Sequence, residues 1–270
     1  MPFDITTPPR KLYVRLSDFD IAFARYASNA ENSFEFVPYQ AQPEASLTVN
    51  LREAFRTDPS LREACEAEVL VSGPVTLVPL DVFQEEDCET YFQYCFPDTK
   101  GKRIFYDSLP QGNDALLLFG FSDQTCKILE ETFENVHYMS TQTSVIAHFA
   151  RKGEEKAARR LFVYAHHDVA DLYVFAQRKL LLCNTYPVHA ATDAVYFCLT
   201  LAKNMQVDLK TDSFYVAGPA PQRTDITAEL KKYAQNVFQL NPSVEFNRHT
   251  ATRNTEVPYD MLTYMLTDNH

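Results

Sequence analysis

His166-His167-Asp168, with Asp171 three positions further on, is the densest group of metal-ligating and acid–base side chains in this sequence. Imidazoles and carboxylates are the ligands and proton carriers of metal-dependent hydrolases, so one reading is a metal-bound water held by His166, His167, Asp168 and Asp171. The spacing argues otherwise. The flanks RLFVYA and VADLYVFA are rich in strand formers, and on an extended strand neighbouring side chains point to opposite faces. The remaining histidines, His137, His148, His189, His249 and His270, show no ligand spacing, and the six cysteines contain no CxxC pair. His-His-Asp is therefore expected to be a turn between two strands, with no metal. No serine or cysteine sits in a nucleophile elbow. His189 lies four residues before Asp193 at the start of a helical pattern, which reads as capping or surface chemistry.

The elements that must carry these residues follow from periodicity. KLYVRLSDFDIAFARYA (11–27) alternates Leu12, Val14 and Leu16 on one side of a polar Ser17-Asp18 turn and resumes with Ile21 and Phe23, so it predicts a hairpin. NSFEFVPYQ (32–40) predicts a third strand, which Pro38 assigns to an edge or an end. Leu47, Leu51, Ala54 and Phe55 have helical spacing, with a stop at Asp58-Pro59. Residues 68–83 return to strand character, broken at Gly73-Pro74, and a short helix with Cys88, Phe92 and Cys95 follows. Two further strands, KRIFYDSL and DALLLFGF, lead to Ser122-Asp123 as the cap of a helix bearing Cys126, Leu129 and Phe133. A short strand, a helix from about residue 143 and a charged connection at 151–158 close this half. The second half predicts the histidine hairpin, a strand at 179–188, a helix at 190–205 and a strand at 213–221 ending in a turn. A helix at 225–240, a short strand VEFN and a terminal helix near 259–266 complete it.

Composition narrows the function classes. The 270 residues are 46% hydrophobic and 23% charged, with 20 Phe and 15 Tyr, which describes a folded chain rather than a disordered one. A net charge of −11 opposes attraction to phosphate backbones or anionic lipid, so neither nucleic acid nor a membrane surface is an expected partner. No window approaches a membrane span, and the opening residues do not form a signal peptide, which makes the cytoplasm the expected compartment. Scattered cysteines agree with reduced thiols. Glycine numbers only six, against roughly 19 at average usage, so the chain has little material for loops that wrap phosphate.

The halves share an order of hairpin, third strand, helix, strand and helix. Leu12, Val14 and Leu16 align with Leu161, Val163 and Ala165, and Asp20, Ile21 and Phe23 with Asp171, Leu172 and Val174. The alignment gives turns of three residues (17–19) and five (166–170). LVSGPV around Gly73 and YVAGPA around Gly218 punctuate both copies, so a duplication is expected. Two β-β-β-α-β-α lobes resemble the α/β, two-lobed actin-like ATPase fold, with duplicated RNase H-like lobes and mixed sheets. Residues 114–221 are similar to the pilus-assembly PilM family and to the cytoplasmic part of the secretion protein GspL; residues 1–60 match more loosely and 75–112 hardly at all. VTLVPLDVF (75–83) looks like a bacterial family catalogued as domain of unknown function 3822, and the chain is identified as a member of it. The expected lobes are residues 1–155 and 156–270.

What the resemblance implies about the site can be tested position by position. Phosphate hairpins of the actin-like family carry an Asp on the first strand, a Gly two residues later and small hydroxyl residues in the turn, which hold magnesium waters and phosphate. Those positions fall on Arg15 and Ser17 in the first hairpin and on Tyr164 and His166 in the second, with Ala170 at the later hydroxyl position. Asp18, Asp20, His167, Asp168 and Asp171 surround these turns, and Gly218 alone remains of an adenine-side glycine pair. The expectation is a degenerate nucleotide cleft, without catalytic residues, metal or cofactor, in a scaffold that binds an unknown protein, a peptide or a second copy of itself. The alternatives are a nucleotide-binding protein or weak ATPase with altered loops, and the metal-dependent hydrolase.

Overall fold

Apolar residues, alternating in Lys11–Leu16 and running in succession within Arg160–His166 and Val169–Ala176, build the two main sheets, and the strand order is the same in each. The computed structural model describes residues 11–17, 20–26, 33–110, 112–152 and 159–267. The chain divides into two compact units, Met1–Ser108 with Ala115–Thr143, and Leu109–Asp114 with Ser144–His270. The sequence reading drew its division at 155/156, among residues 153–158, which lie outside the described residues.

In the first unit, β1 (Lys11–Leu16), β2 (Ile21–Tyr26) and β3 (Phe34–Tyr39) form an antiparallel meander. After α1 (Leu47–Thr57), the strand β4 (Glu66–Val71) pairs parallel to β1, and β8 (Asn135–Ser140) pairs parallel to β4. The order is β3-β2-β1-β4-β8, with Pro38 on an edge strand as expected. Ser46 caps α1 by accepting from Val49 N–H, and Asp58 ends it. Leu12, Val14, Leu16 and Phe23 share a buried face, on which the Phe23 ring meets Phe55 of α1.

Between β4 and β8 lies an insert whose sheet the sequence did not anticipate. Gly73-Pro74 separates β4 from β5 (Val75–Pro79), which joins a different sheet. With β6 (Lys102–Ser108) and β7 (Ala115–Ser122) it forms an antiparallel layer ordered β5-β7-β6. Helix α2 (Cys88–Cys95) covers one face, with Val78, Cys88, Phe92, Leu116 and Leu118 as a small core. Then α3 (Asp123–Thr132) begins at the expected cap, Ser122 accepting from Thr125 N–H, and α4 (Thr141–Ala150) follows β8.

The second unit repeats the pattern without the insert. Strands β9 (Arg160–His166), β10 (Val169–Ala176) and β11 (Lys179–Pro187) form the meander. Helix α5 (Ala191–Asn204), β12 (Ser213–Ala217), α6 (Ala220–Leu230) and β13 (Asn236–Gln239) complete a sheet ordered β11-β10-β9-β12-β13. Asp193 accepts from His189 and Ala190 N–H groups, the capping role expected of that pair. Leu161, Val163, Leu172 and Val174 pack with α5 and α6; on the opposite face Phe162 stacks on Phe149 of α4 at 4.4 Å. Short α7 (Pro242–Glu245) and terminal α8 (Tyr259–Thr267) follow.

Three sequence expectations change. Helix α6 starts at Ala220 rather than 225, because Pro219 and Pro221 fall at a helix start, where a missing N–H removes no intrahelical bond. The expected helix at 225–240 ends at Leu230, and residues 236–239 pair with β12 as a strand. VEFN is not a strand: Asn241 accepts from Ser243 N–H and starts α7, and Asn247 takes a φ of 49°.

Candidate functional site

The first hairpin is closed by its own side chains. Leu16 pairs with Ile21, so the connection runs over 17–20, four residues rather than three; Asp18 lies outside the described residues. Ser17 N–H donates to Asp20 O at 3.0 Å, and Asp20 N–H donates to Ser17 Oγ at 2.9 Å. Arg15 Nη1 donates to Asp20 Oδ1 at 2.7 Å, and Ser17 Oγ donates to the same oxygen. Arg15 is 1% exposed, and its charge is met by a carboxylate of its own turn that remains partly exposed to water.

In the second hairpin the ladder continues further than the sequence suggested. His166 pairs with Val169, which leaves His167 and Asp168 as a two-residue connection instead of five, with His167 at φ 47°. The polar side chains of His166 and Asp171 do not break a ladder whose bonds come from backbone groups, so the turn shrinks to the residues that must reverse direction. The shorter turn also re-registers the repeat: Ala170, opposite Ala165, holds the place that Ile21 holds opposite Leu16.

Tyr164, Asp171 and Thr185 lie opposite one another on three adjacent strands and so share a face. His166 Nε2 lies 2.8 Å from Asp171 Oδ2, and Thr185 Oγ1 donates to Asp171 Oδ1 at 2.6 Å. Tyr164 OH donates to Asp260 Oδ2 at 3.1 Å. The His167 ring meets that of His166 edge-on at 81°, and the His167 carbonyl accepts from Gln222 Nε2 at 2.9 Å. Asp168 is exposed, and its carbonyl accepts from Val188 N–H. Among the described residues, no three His, Cys, Asp or Glu side chains converge as a metal ion would require.

The two Gly-Pro sequences do different work. Gly218 has φ 126°, and a Cβ there would lie 2.3 Å from Ala165 O; its carbonyl accepts from Arg223 Nη1 at 3.1 Å. Around Gly73 a Cβ would meet nothing within 4 Å. Gly218 thus lets the β12–α6 turn lie against the end of β9, whereas Gly73-Pro74 only redirects the chain into the insert.

Sequence reasoning missed Asp260, Thr185 and Gln222, the partners of Tyr164, Asp171 and His167. It also missed Glu245, which accepts from Tyr259 OH at 3.0 Å and lies beside His148 and Lys152. Burial pushes the Glu245 carboxyl upward, and its hydrogen bonds with His148 and Lys152 outweigh that, leaving it below the ordinary range. One signal was available: Asp260 is a lone charge in the apolar run YDMLTYML, and a buried carboxylate needs a partner.

With this geometry in view, likeness to known proteins becomes informative. The family model described as Protein of unknown function (DUF3822) matches residues 2–237. A Bacteroides thetaiotaomicron crystal structure, of a protein with actin-like ATPase fold and unknown function, is 22% identical. It covers 92% of this chain and 98% of its own, with a TM-score of 0.78. The PilM-PilN type IV pilus biogenesis complex contains a chain 11% identical, covering 95% and 97%, with a TM-score of 0.56. No curated protein matches the chain. The fold is that of the actin-like ATPases, as the resemblance implied.

Proposed function

This chain belongs to that family of unknown function and has the actin-like ATPase fold, and we propose that it is a non-catalytic member of the fold that works as an interaction scaffold for a protein or peptide partner. One observation carries the reading. At the hairpin positions where actin-like ATPases handle phosphate and magnesium, Arg15 and Ser17 bond to Asp20, Tyr164 to Asp260 and His166 to Asp171, all inside their own units. An entering triphosphate would have to displace these bonds and would meet the carboxylates of Asp20 and Asp171.

The solved PilM is held in a complex with PilN; for this chain the analogy supports a segment of another protein as the partner class, and a second copy of the chain is distinguished from it by sedimentation. Six free cysteines, with Cys65 and Cys95 exposed, suit a reducing compartment and so the cytoplasm. The test is calorimetric titration with ATP and magnesium. No saturable binding in the micromolar range is expected; micromolar affinity, lost in Arg15→Ala, overturns the reading in favour of a nucleotide binder.

A further inference from the structure

The insert carries an outer layer that its own core does not account for. Phe92 and Cys88 are the residues α2 buries, while Tyr94 on the same helix is 91% exposed. In the connection after β5, Leu80 and Val82 are 51% and 53% exposed. Together with Tyr106 they make four of the ten large exposed hydrophobic side chains among the described residues. Val82 and Tyr106 are joined through Tyr91 and Phe83, and Leu80 and Tyr94 adjoin them along the chain. Tyr91 OH donates to Val82 O at 2.7 Å, the Phe83 ring packs against both Tyr91 and Tyr106, and Tyr94 lies one turn beyond Tyr91.

The charge of the segment that carries Leu80, Val82 and Tyr94 is one-sided. Residues 80–99 contain six acidic residues and no Lys or Arg, so the segment contributes −6 of the chain's −11. Carboxylates in the first turn suit the helix dipole, which explains Glu85 to Glu89 but not the exposed Leu80, Val82 and Tyr94. Apolar side chains rimmed by one sign of charge fit a segment of the opposite sign, whose Lys and Arg stems lie along the aromatic ring while their heads meet the carboxylates. A neutral apolar occupant would strip water from those carboxylates without replacing it. Isologous pairing with a second copy would face each acidic patch with its own image.

We propose that this surface, Leu80, Val82 and Tyr94 bounded by Asp81, Glu86 and Glu89, is a docking site for a Lys/Arg-rich, apolar-anchored segment of a partner protein. The proposal rests on the scaffold reading and assigns its partner a chemistry.

The test titrates the full chain into a fluorescein-labelled synthetic peptide of Lys, Arg and Leu, read by anisotropy. Saturable binding is expected, weakened about tenfold by Glu86→Lys with Glu89→Lys and about fivefold by Tyr94→Ala. The matched reversal of exposed acids elsewhere, Asp225→Lys with Glu256→Lys, changes it by less than about twofold. Absence of binding, equal loss in both double variants, or an unchanged Tyr94→Ala overturns the site. All of these residues are exposed, so the variants are expected to fold. Micromolar ATP binding beside intact peptide binding would remove the non-catalytic reading and leave this surface standing.

Discussion

Replacing Asp107 by Asn should remove part of this protein's pH dependence of stability. Asp107, on β6, is 8% exposed and holds the junction of β8 with α4: its Oδ2 accepts from Ser140 N–H at 2.8 Å and from Thr143 Oγ1 at 2.6 Å. Burial pushes its pKa up from 3.8 to about 6, against the pull of the Thr143 and Ser140 hydrogen bonds and of the charge on His137. Because the folded pKa lies above the unfolded one, the folded state binds the proton more tightly. This stabilisation is complete below about 3.8 and is lost as pH rises through about 6. The full span corresponds to about 3 kcal/mol, of which about 1.4 kcal/mol falls between about pH 5 and about pH 8. Asn keeps one carbonyl oxygen for both donors and does not titrate. Urea unfolding of both proteins at the two pH values should therefore show wild type losing about 1.4 kcal/mol more than Asp107→Asn on going to the higher pH, titrations uncoupled from Asp107 cancelling in the difference and His137→Gln in both backgrounds removing the one coupled to it. Parallel pH profiles, or a variant that loses ground as pH rises, would refute the assignment of a buried, proton-favouring carboxyl. Asp107→Ala, which leaves both donors without this acceptor, should cost about 1 to 3 kcal/mol at either pH.

Other outcomes follow from single contacts. Gly218→Ala should destabilise by about 2 kcal/mol or more in denaturant melts, since φ 126° and the Ala165 carbonyl both oppose a Cβ; Gly73→Ala should stay within about 0.5 kcal/mol. Ser122→Ala removes the cap of α3 and should cost about 1 kcal/mol by urea unfolding. Phe92→Ala, at the centre of the small insert core, should cost about 3 to 5 kcal/mol and be accompanied by faster hydrogen exchange in β5 and β7.

Much of the backbone was legible because its causes are local. The alternation of Leu12, Val14 and Leu16, the cap at Ser122, and the Asp193 cap each rest on residues within a turn or two of one another. The misreadings have equally concrete causes. Pro219 and Pro221 looked like a turn but stand at a helix start. NVFQ has only four residues, and its strand exists because Ser213–Val216 offers a parallel partner. The repeated Gly-Pro suggested equivalent turns, yet only at Gly218 does another strand's carbonyl occupy the space of a Cβ.

From the residues alone came the duplicated order of elements, the acidic charge and the scarcity of glycine, and the family resemblance added the expectation that Arg15, Ser17, Tyr164 and His166 stand at phosphate-handling positions. Which partners those side chains bond to was decided by the tertiary structure. Tyr164 meets Asp260 across 96 positions of sequence, and Asp107 meets Thr143 across 36. Periodicity reports which face of an element is buried, because that depends on spacing along one strand or helix. It carries no information about which distant side chain will satisfy a buried hydroxyl or carboxylate, since that pairing arises only when sheets and helices pack and exclude water.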